Sequence, residues 1–418
     1  MIKTLKKVNH ITQANITLPA SKSISNRLLV LQKLYHLPIN IQNLSDSDDT
    51  KLLYNCLYSE TTNPIAIEWD VENCGTAMRF LVSYAAITKG NYILYGNERM
   101  QQRPVKPLVD GWRALGAEIN YIEKEGYPPL HIGGKTIIGY PTTIEIDGSM
   151  SSQFISSIMM AGCALEKGLN IQLTGIVSSK PYIQMTLKLM QELGLDIIWD
   201  EEKNIIQCKH YSGSNDIIKD YHIESDWSAA SYCYLWALAI PGLQIDIDNL
   251  SINSLQGDSV LMSYFEKFGL STNEIHPNNI SIIKDKNFIP QALTFDCSQC
   301  LDIAPTLALA AFITHTKVTL TGLENLKHKE SDRLKVLYTE LNKFSPNSAT
   351  IISDDVLYIH RTAEINYDGT LETYGDHRIA MAFSVLAAYG DLKINNPEVV
   401  SKSFPSFWDE IRKVGLGV

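Results

Sequence analysis

The chain has no apolar run long enough to span a bilayer: the longest, Tyr232–Ile240, has nine residues, against the roughly 20 that a membrane helix needs. Its first residues, MIKTLKKVNHITQ, are basic but lack the apolar stretch of a signal peptide. It has no basic excess either, with 36 Lys and Arg against 46 Asp and Glu and a formal charge of −10. That balance disfavours a general nucleic-acid binder, which draws on a basic surface. Seven cysteines, odd in number and irregular in spacing, do not make a disulfide framework. Cys297 and Cys300 form one C-x-x-C with no second ligand pair nearby, so no metal is expected. Low-complexity tracts and long like-charge blocks are missing too. These absences leave a cytoplasmic globular protein with reduced thiols, no membrane or nucleic-acid partner, and any cationic cluster local to a site.

What is present is a recurring helix start. Residues 18–27 read LPASKSISNR, with Ser21, Ser23 and Ser25 before an apolar run and Lys22 and Arg27 set among them. The first N–H groups of a helix lack partners and face the positive end of its dipole, which makes such a start an anion site. Taken alone, the segment equally fits an ordinary serine cap with two solvated cations. Five further segments of small and polar residues lead into Ala- or Leu-rich runs: NCGTAMRFLVSYAA at Asn73, GSMSSQFISSIMMAG at Gly148, SDWSAASYCYLWALA at Ser225, CLDIAPTLALAAF at Cys300 and GDHRIAMAFSVLAA at Gly375. These last five are spaced about 75 residues apart, a repeat larger than a solenoid turn.

Between the starts lie β-like runs, Tyr92–Tyr95, Ile144–Ile146, Asn170–Leu173, Gln244–Ile247, Val318–Leu320 and Val356–His360. Second helices are expected at Val105–Leu115, Ile183–Leu193, Asp258–Phe268 and Ser331–Phe344, several ending at Gly, as in Leu115-Gly116 and Leu193-Gly194. The fold class is α/β (α+β), with each repeat mixing a few strands and two helices. At 418 residues the chain exceeds one core, and six repeats divide into two groups of three. The piece before Pro19 has no repeat of its own and is expected to return as a strand in the second group. This gives a discontinuous domain, 1–18 with 222–418, enclosing 19–221, with two linkers meeting as a hinge.

At or beside the helix starts stand Lys22, Arg27, Arg79, Gln153, Asp302, His377 and Arg378, residues that packing alone does not request. More cations flank them in QRPVKP at Gln102, VSSKPY at Val177, NLKHKESDR at Asn325 and SKSFP at Ser401. With PASKSISNR, NCGTAMRF, DGSMSSQF and YGDHRIAMAF, these segments resemble, in order and spacing and nearly end to end, the 5-enolpyruvylshikimate-3-phosphate synthase family of enolpyruvyl transferases. The resemblance implies a two-domain inside-out α/β barrel. Each domain has three β-α-β-α-β-β repeats with buried helices, closing over a site between the domains.

It also implies transfer of the enolpyruvyl group of phosphoenolpyruvate to the 5-hydroxyl of shikimate 3-phosphate, releasing phosphate through a tetrahedral adduct, in chorismate and aromatic amino-acid biosynthesis. Two polyanionic substrates side by side require clustered cations in a partly dried cleft. Matched positions for phosphoenolpyruvate are Lys22, the Gly75 backbone, Arg103, Gln153, Arg333, Arg378 and Lys402. For shikimate 3-phosphate they are Lys22, Ser23, Arg27, Ser151, Ser152, Gln153, Ser179, Tyr182, Asp302, Asn325 and Lys329. Asp302 is assigned as base and Glu330 as acid, with Lys22 as the alternative and His377 as a weaker choice. Neighbouring cations should lower the pKa of Glu330 and burial should raise it. No cofactor or metal is implied, the partners are the two small molecules, and the expected state is a monomer.

Phe80 stands where the family usually has Pro, which implies altered affinity for glyphosate, its phosphoenolpyruvate-competitive inhibitor. Ser225 and Trp227 replace smaller residues. The sister transferase acting on UDP-N-acetylglucosamine carries a reactive cysteine near the position of Gln101–Lys106, and this chain has none there. An inactive anion-binding homologue would not need Asp302 and Glu330 together. A nucleotidyl-transfer enzyme acting on RNA ends would want a nucleophilic His motif and a basic surface.

Overall fold

A computed structural model describes residues 1–59, 65–135, 137, 142–213, 219–285 and 288–417. They form two compact units. The first comprises Met1–Ser21, Ser45–Asp48 and Glu224–Val418, and the inserted unit comprises Lys22–Leu44 and Asp49–Ile223. The junctions thus fall at 21/22 and 223/224 rather than at 18/19 and 221/222. The linkers pair there: Ser21 N donates to Glu224 O (2.9 Å), Asp226 N donates to Pro19 O (2.9 Å), and Ala20 bridges Ser225 antiparallel. Residues 219–222 belong instead to a parallel pair with 39–42 in the inserted unit.

The helices of the inserted unit are α1 (Lys22–Tyr35), α2 (Asp48–Tyr58, which begins on the last residue of the first unit), α3 (Gly75–Ile87), α4 (Lys106–Ala114), α5 (Ser152–Gly162) and α6 (Lys180–Glu192). Those of the first unit are α7 (Trp227–Ala239), α8 (Leu261–Glu266), α9 (Ala304–Thr314), α10 (Arg333–Phe344), α11 (His377–Phe383) and α12 (Phe407–Lys413). One sheet pattern recurs. Residues 67–70 run parallel to 90–95, which pairs antiparallel with 130–134, itself antiparallel to 118–121. The same parallel, antiparallel, antiparallel order holds in the sheets built on 143–147 and 169–174, on 13–16 and 244–247, and on 293–296 and 318–321. A fifth such sheet runs 370–371, 392–395, 2–7 and 416–417. The N-terminal piece therefore supplies strands to two sheets of the first unit.

In four of these sheets the parallel pair is joined across one helix, α3, α5, α9 or α11, each a recurring start, and the other two starts, α1 and α7, each follow a unit junction. Apart from α1, whose last turn carries Gln32 and Lys33 and is only partly buried, they are apolar and buried on nearly all sides. In α7 every residue from Ala229 to Ala239 is buried, as is α9 from Ala304 to Ile313. Helices α7, α9 and α11 pack on one another in the first unit, and α1, α3 and α5 do so in the inserted unit. Helix α4 presses on the strand 143–147: at Gly111 there is no room for a Cβ, which would stand 2.8 Å from the Ile146 Cδ1 atom. The second helices are amphipathic covers, and α4 and α6 end before Gly116 and Gly194 at φ +92° and +86°, the left-handed position that favours glycine.

Two expected helices differ. The run from Asp258 begins as a 3-10 turn, Gly257–Val260, before α8. At the fifth start, Leu301–Ile303 is also a 3-10 turn and α9 follows with Pro305 in its first turn, where a missing N–H costs nothing. Asp302 therefore projects from a tight turn ahead of the helix. Trp227, a departure from smaller residues, is fully buried, its indole N–H donating to Ser251 O (3.0 Å).

Candidate active site

In the inserted unit the packing of α1, α3 and α5 brings their N-termini together. Lys22 opens α1 and pairs with Asp49 (Nζ–Oδ2 2.9 Å). Asp49 O accepts the Cys74 thiol (3.9 Å), and Cys74 Sγ caps α3 by accepting Ala77 N. Gly75 follows, and a Cβ there would stand 2.5 Å from an Arg103 guanidinium nitrogen, so only glycine lets Arg103 lie against this helix start. Arg103 is 4% exposed and donates to Asn73 O (3.1 Å). Ser151 caps α5 by accepting Gln153 N, Ser152 is buried beside it, and Gln153 Nε2 donates to Thr76 Oγ1 (3.3 Å), joining the α3 and α5 starts.

Arg27 is 2% exposed and its fork is turned to protein: Nε to Thr186 Oγ1 (2.7 Å), one terminal nitrogen to Ser23 O (2.9 Å), the other to Ser156 Oγ (3.3 Å) and Tyr182 O (3.4 Å). It lies 5.5 Å over the Phe80 ring, a contact proline would not offer. Burial lowers its pKa to about 10, which leaves it a cation at neutral pH. Arg27 thus holds Ser23 and Tyr182 in register. Ser179, before α6, adopts a left-handed backbone at φ +52°, a strained conformation for serine.

In the first unit the charges converge on Asp302. Its Oδ1 meets Lys329 Nζ (3.2 Å) and Arg333 (3.0 Å), and its Oδ2 meets Arg378 (2.8 Å). Arg333, 1% exposed, also holds Glu330 (2.6 Å) and Asp376 (2.8 Å). Asp376 is wholly buried, accepts Ser331 Oγ (2.9 Å), and caps α11 through Arg378 N (3.0 Å). His377 opens α11, buried, with Nδ1 3.9 Å from Asp376. Asn325 lies on the 3-10 turn Glu324–His328 and Lys402 ends the 3-10 turn Pro397–Lys402, which packs on α11.

Burial alone would raise the pKa of Asp302, but the charges of Arg378, Lys329 and Arg333 outweigh it and hold the carboxyl well below the usual range. Asp258 behaves oppositely. Burial, then the charge of Asp302, pushes it up to about 6 despite Arg378 and a hydrogen bond from Ser228 Oγ. Arg333 is held as a cation more firmly than usual, because Asp376, Glu330 and Asp302 outweigh its desolvation. Among the described residues no cluster of His, Cys, Asp and Glu offers a metal site, and no helix is long and apolar enough to cross a membrane.

A family model described as EPSP synthase (3-phosphoshikimate 1-carboxyvinyltransferase) matches residues 55–411. The chain belongs to the EPSP synthase family. It is 38% identical to a 3-phosphoshikimate 1-carboxyvinyltransferase of Bacteroides fragilis, covering 97% of this chain and 96% of that one. The identity to its counterpart in Vibrio campbellii is 32%, over 98% of each chain. A solved EPSP synthase structure from Acinetobacter baumannii shares the fold, with a TM-score of 0.74 at 22% identity, covering 99% of this chain and 98% of that one.

Three carboxylates of this EPSP synthase family member escaped the sequence reading. Asp376 sits in YGDHR, where an Asp before a helix signals a cap, though nothing local signals its clamp on Arg333. Asp49 lies in the run SDSDD, which reads as a solvated helix start. Asp258 carries no local signal.

The two shifted aspartates give opposite pH dependences. Asp302 has a folded pKa below its ordinary 3.8, so its contribution to stability is present above that value and lost as pH falls through the folded one. Asp258 has a folded value of about 6, above 3.8, so its contribution is present below 3.8 and lost as pH rises through 6. Asp258→Asn should therefore gain in Tm relative to the parent between pH 4 and pH 7, followed by scanning fluorimetry. A constant difference across that range would refute the assignment.

Proposed function

We propose that the two half-sites meet over one pair of substrates, with the inserted unit supplying most of the anion grip and the first unit the proton transfers. The activity is that of a 3-phosphoshikimate 1-carboxyvinyltransferase, transfer of the enolpyruvyl group of phosphoenolpyruvate to shikimate 3-phosphate in aromatic amino-acid biosynthesis. One observation carries the assignment of roles: a single guanidinium, Arg333, holds both Asp302 and Glu330. Before the donor binds, base and acid are thereby held on one group.

In this reading the inside-out barrels close so that Lys22 touches both substrates. Gly75, Arg103 and Gln153 hold phosphoenolpyruvate with Arg333, Arg378 and Lys402. Ser23, Ser151, Ser152, Ser179 and Tyr182 hold shikimate 3-phosphate with Asn325 and Lys329, while Arg27 keeps Ser23 and Tyr182 in place. Asp302 takes the proton of the 5-hydroxyl as its oxygen bonds to C2 of phosphoenolpyruvate, and Glu330 gives a proton to the methylene carbon. Glu330, now a carboxylate, then takes a proton back from the methyl group of the tetrahedral adduct as the C–O bond to phosphate breaks, and phosphate leaves with the proton held by Asp302, giving the enol ether.

Asp302 is a weak base while three cations surround it. Phosphoenolpyruvate, by drawing Arg333 and Arg378 onto its own carboxylate and phosphate, returns proton affinity to Asp302 and frees Glu330. The base is therefore competent only when the donor is bound. The protein works without metal or cofactor, as a cytoplasmic monomer.

Phosphate release from phosphoenolpyruvate should depend on shikimate 3-phosphate and ignore UDP-N-acetylglucosamine; release without the shikimate ester, or with the nucleotide sugar, would overturn the reading. Asp302→Ala should lose about 10²–10⁴-fold in kcat, the usual worth of a general base, while calorimetry still finds shikimate 3-phosphate bound. Gly75→Ala should displace Arg103 and raise KM for phosphoenolpyruvate without weakening binary shikimate 3-phosphate binding, and an unchanged KM would count against Arg103.

A further inference from the structure

We propose that Asp49 is a positioning residue for Lys22, an internal anion that keeps the ammonium aimed at the substrates until their own charges take it over. The proposal rests on the reading of Lys22 as the cation shared by both substrates. The pair is short, at 2.9 Å, and sheltered, with the two side chains 15% and 6% exposed. An ion pair so placed is screened far less than a surface one.

Asp49 is also anchored in a way that makes it a reference point. It is the second residue of α2, where a carboxylate is favoured by the helix dipole. Its carbonyl accepts the thiol of Cys74, the cap of α3, so one residue ties the Lys22 ammonium to the start that carries Gly75 and Arg103. Asp49 itself is 5% exposed, too buried to serve as a solvated surface charge.

A monoanionic carboxylate at this distance holds a lysine without trapping it, because a phosphate dianion brought alongside attracts the same ammonium more strongly. Lys22 would otherwise be a flexible four-carbon stem with several rotamers, and fixing it in advance avoids that ordering cost in the transition state. The same carboxylate competes with the substrate in the ground state. Asp49 therefore weakens binary binding slightly and raises the rate, a split that a scaffold role does not produce.

The test compares the full-length protein with Asp49→Asn and Asp49→Glu. Asp49→Asn should lower kcat by about 10–100-fold, the cost of roughly 1 Å of misplacement, while calorimetry finds shikimate 3-phosphate bound as tightly as before or more tightly. Asp49→Glu should recover part of kcat. Independently of turnover, the [13C]dimethyl-lysine NMR signal of Lys22, assigned with Lys22→Arg, should move in Asp49→Asn. A kcat within twofold of the parent, a parallel loss of binding and rate that Glu does not relieve, or an unmoved Lys22 signal would each overturn the proposal. A parent protein that releases no phosphate would overturn the functional reading instead, and the Lys22 signal would still decide the role of Asp49.

Discussion

One buried guanidinium organises the charged cluster of the first unit. Arg333 meets three carboxylates with its three nitrogens: Nε and one terminal nitrogen with Asp376, that same terminal nitrogen with Glu330, and the other with Asp302. Lysine cannot do this, because a point charge has no fixed fork. The arrangement is also unforgiving. A buried ion cluster gains little over apolar packing, but losing one member strands a charge at a cost of about 3–5 kcal/mol. Through Asp376 the same fork reaches the cap of α11 and so sets where Arg378 stands, which returns to Asp302 from the other side.

The two units carry different charge balances. Around Arg333 the cations Lys329, Arg333 and Arg378 face Asp302, Glu330 and Asp376, a nearly self-compensated group. In the inserted unit Lys22 pairs with Asp49, while Arg27, Arg79 and Arg103 donate to main-chain carbonyls, among them Ser23 O, Gly75 O and Asn73 O. One cluster is thus a web of side-chain ion pairs, and the other ties its cations largely to the backbone of the helix starts.

Much of this was readable in the residues. The starts at Asn73, Gly148, Cys300 and Gly375 become buried crossover helices because their small and apolar composition has little polar face to give to solvent, and Lys22, Asp302 and Arg378, which packing does not need, stand in the charged clusters of the two units. What was not readable depends on contacts far apart in the chain. The clamp of Arg333 on Asp376 spans 43 positions and the Lys22–Asp49 pair spans 27. No local pattern encodes either. The 3-10 turn that lifts Asp302 ahead of its helix follows from Pro305 and was open to inspection, but periodicity runs smoothly across it. The junctions moved because residues 19–21 and 224–226 pair with each other, a choice of partner that composition does not reveal.

The split of the first unit imposes an order on how the chain is made. The inserted unit ends at Ile223, so all of its strands exist once that residue has left the ribosome. Residues 13–16 must wait for 244–247, and residues 2–7 must wait for 392–395 and 416–417, nearly the whole length of the polypeptide. During that interval the N-terminal strand is an edge without a partner, open to pairing with another nascent chain. Its sequence, IKTLKK, places three lysines in six residues. Charge of that kind on an unpaired strand discourages association between copies, so the lysines of a strand that pairs last bear on the interval before it pairs.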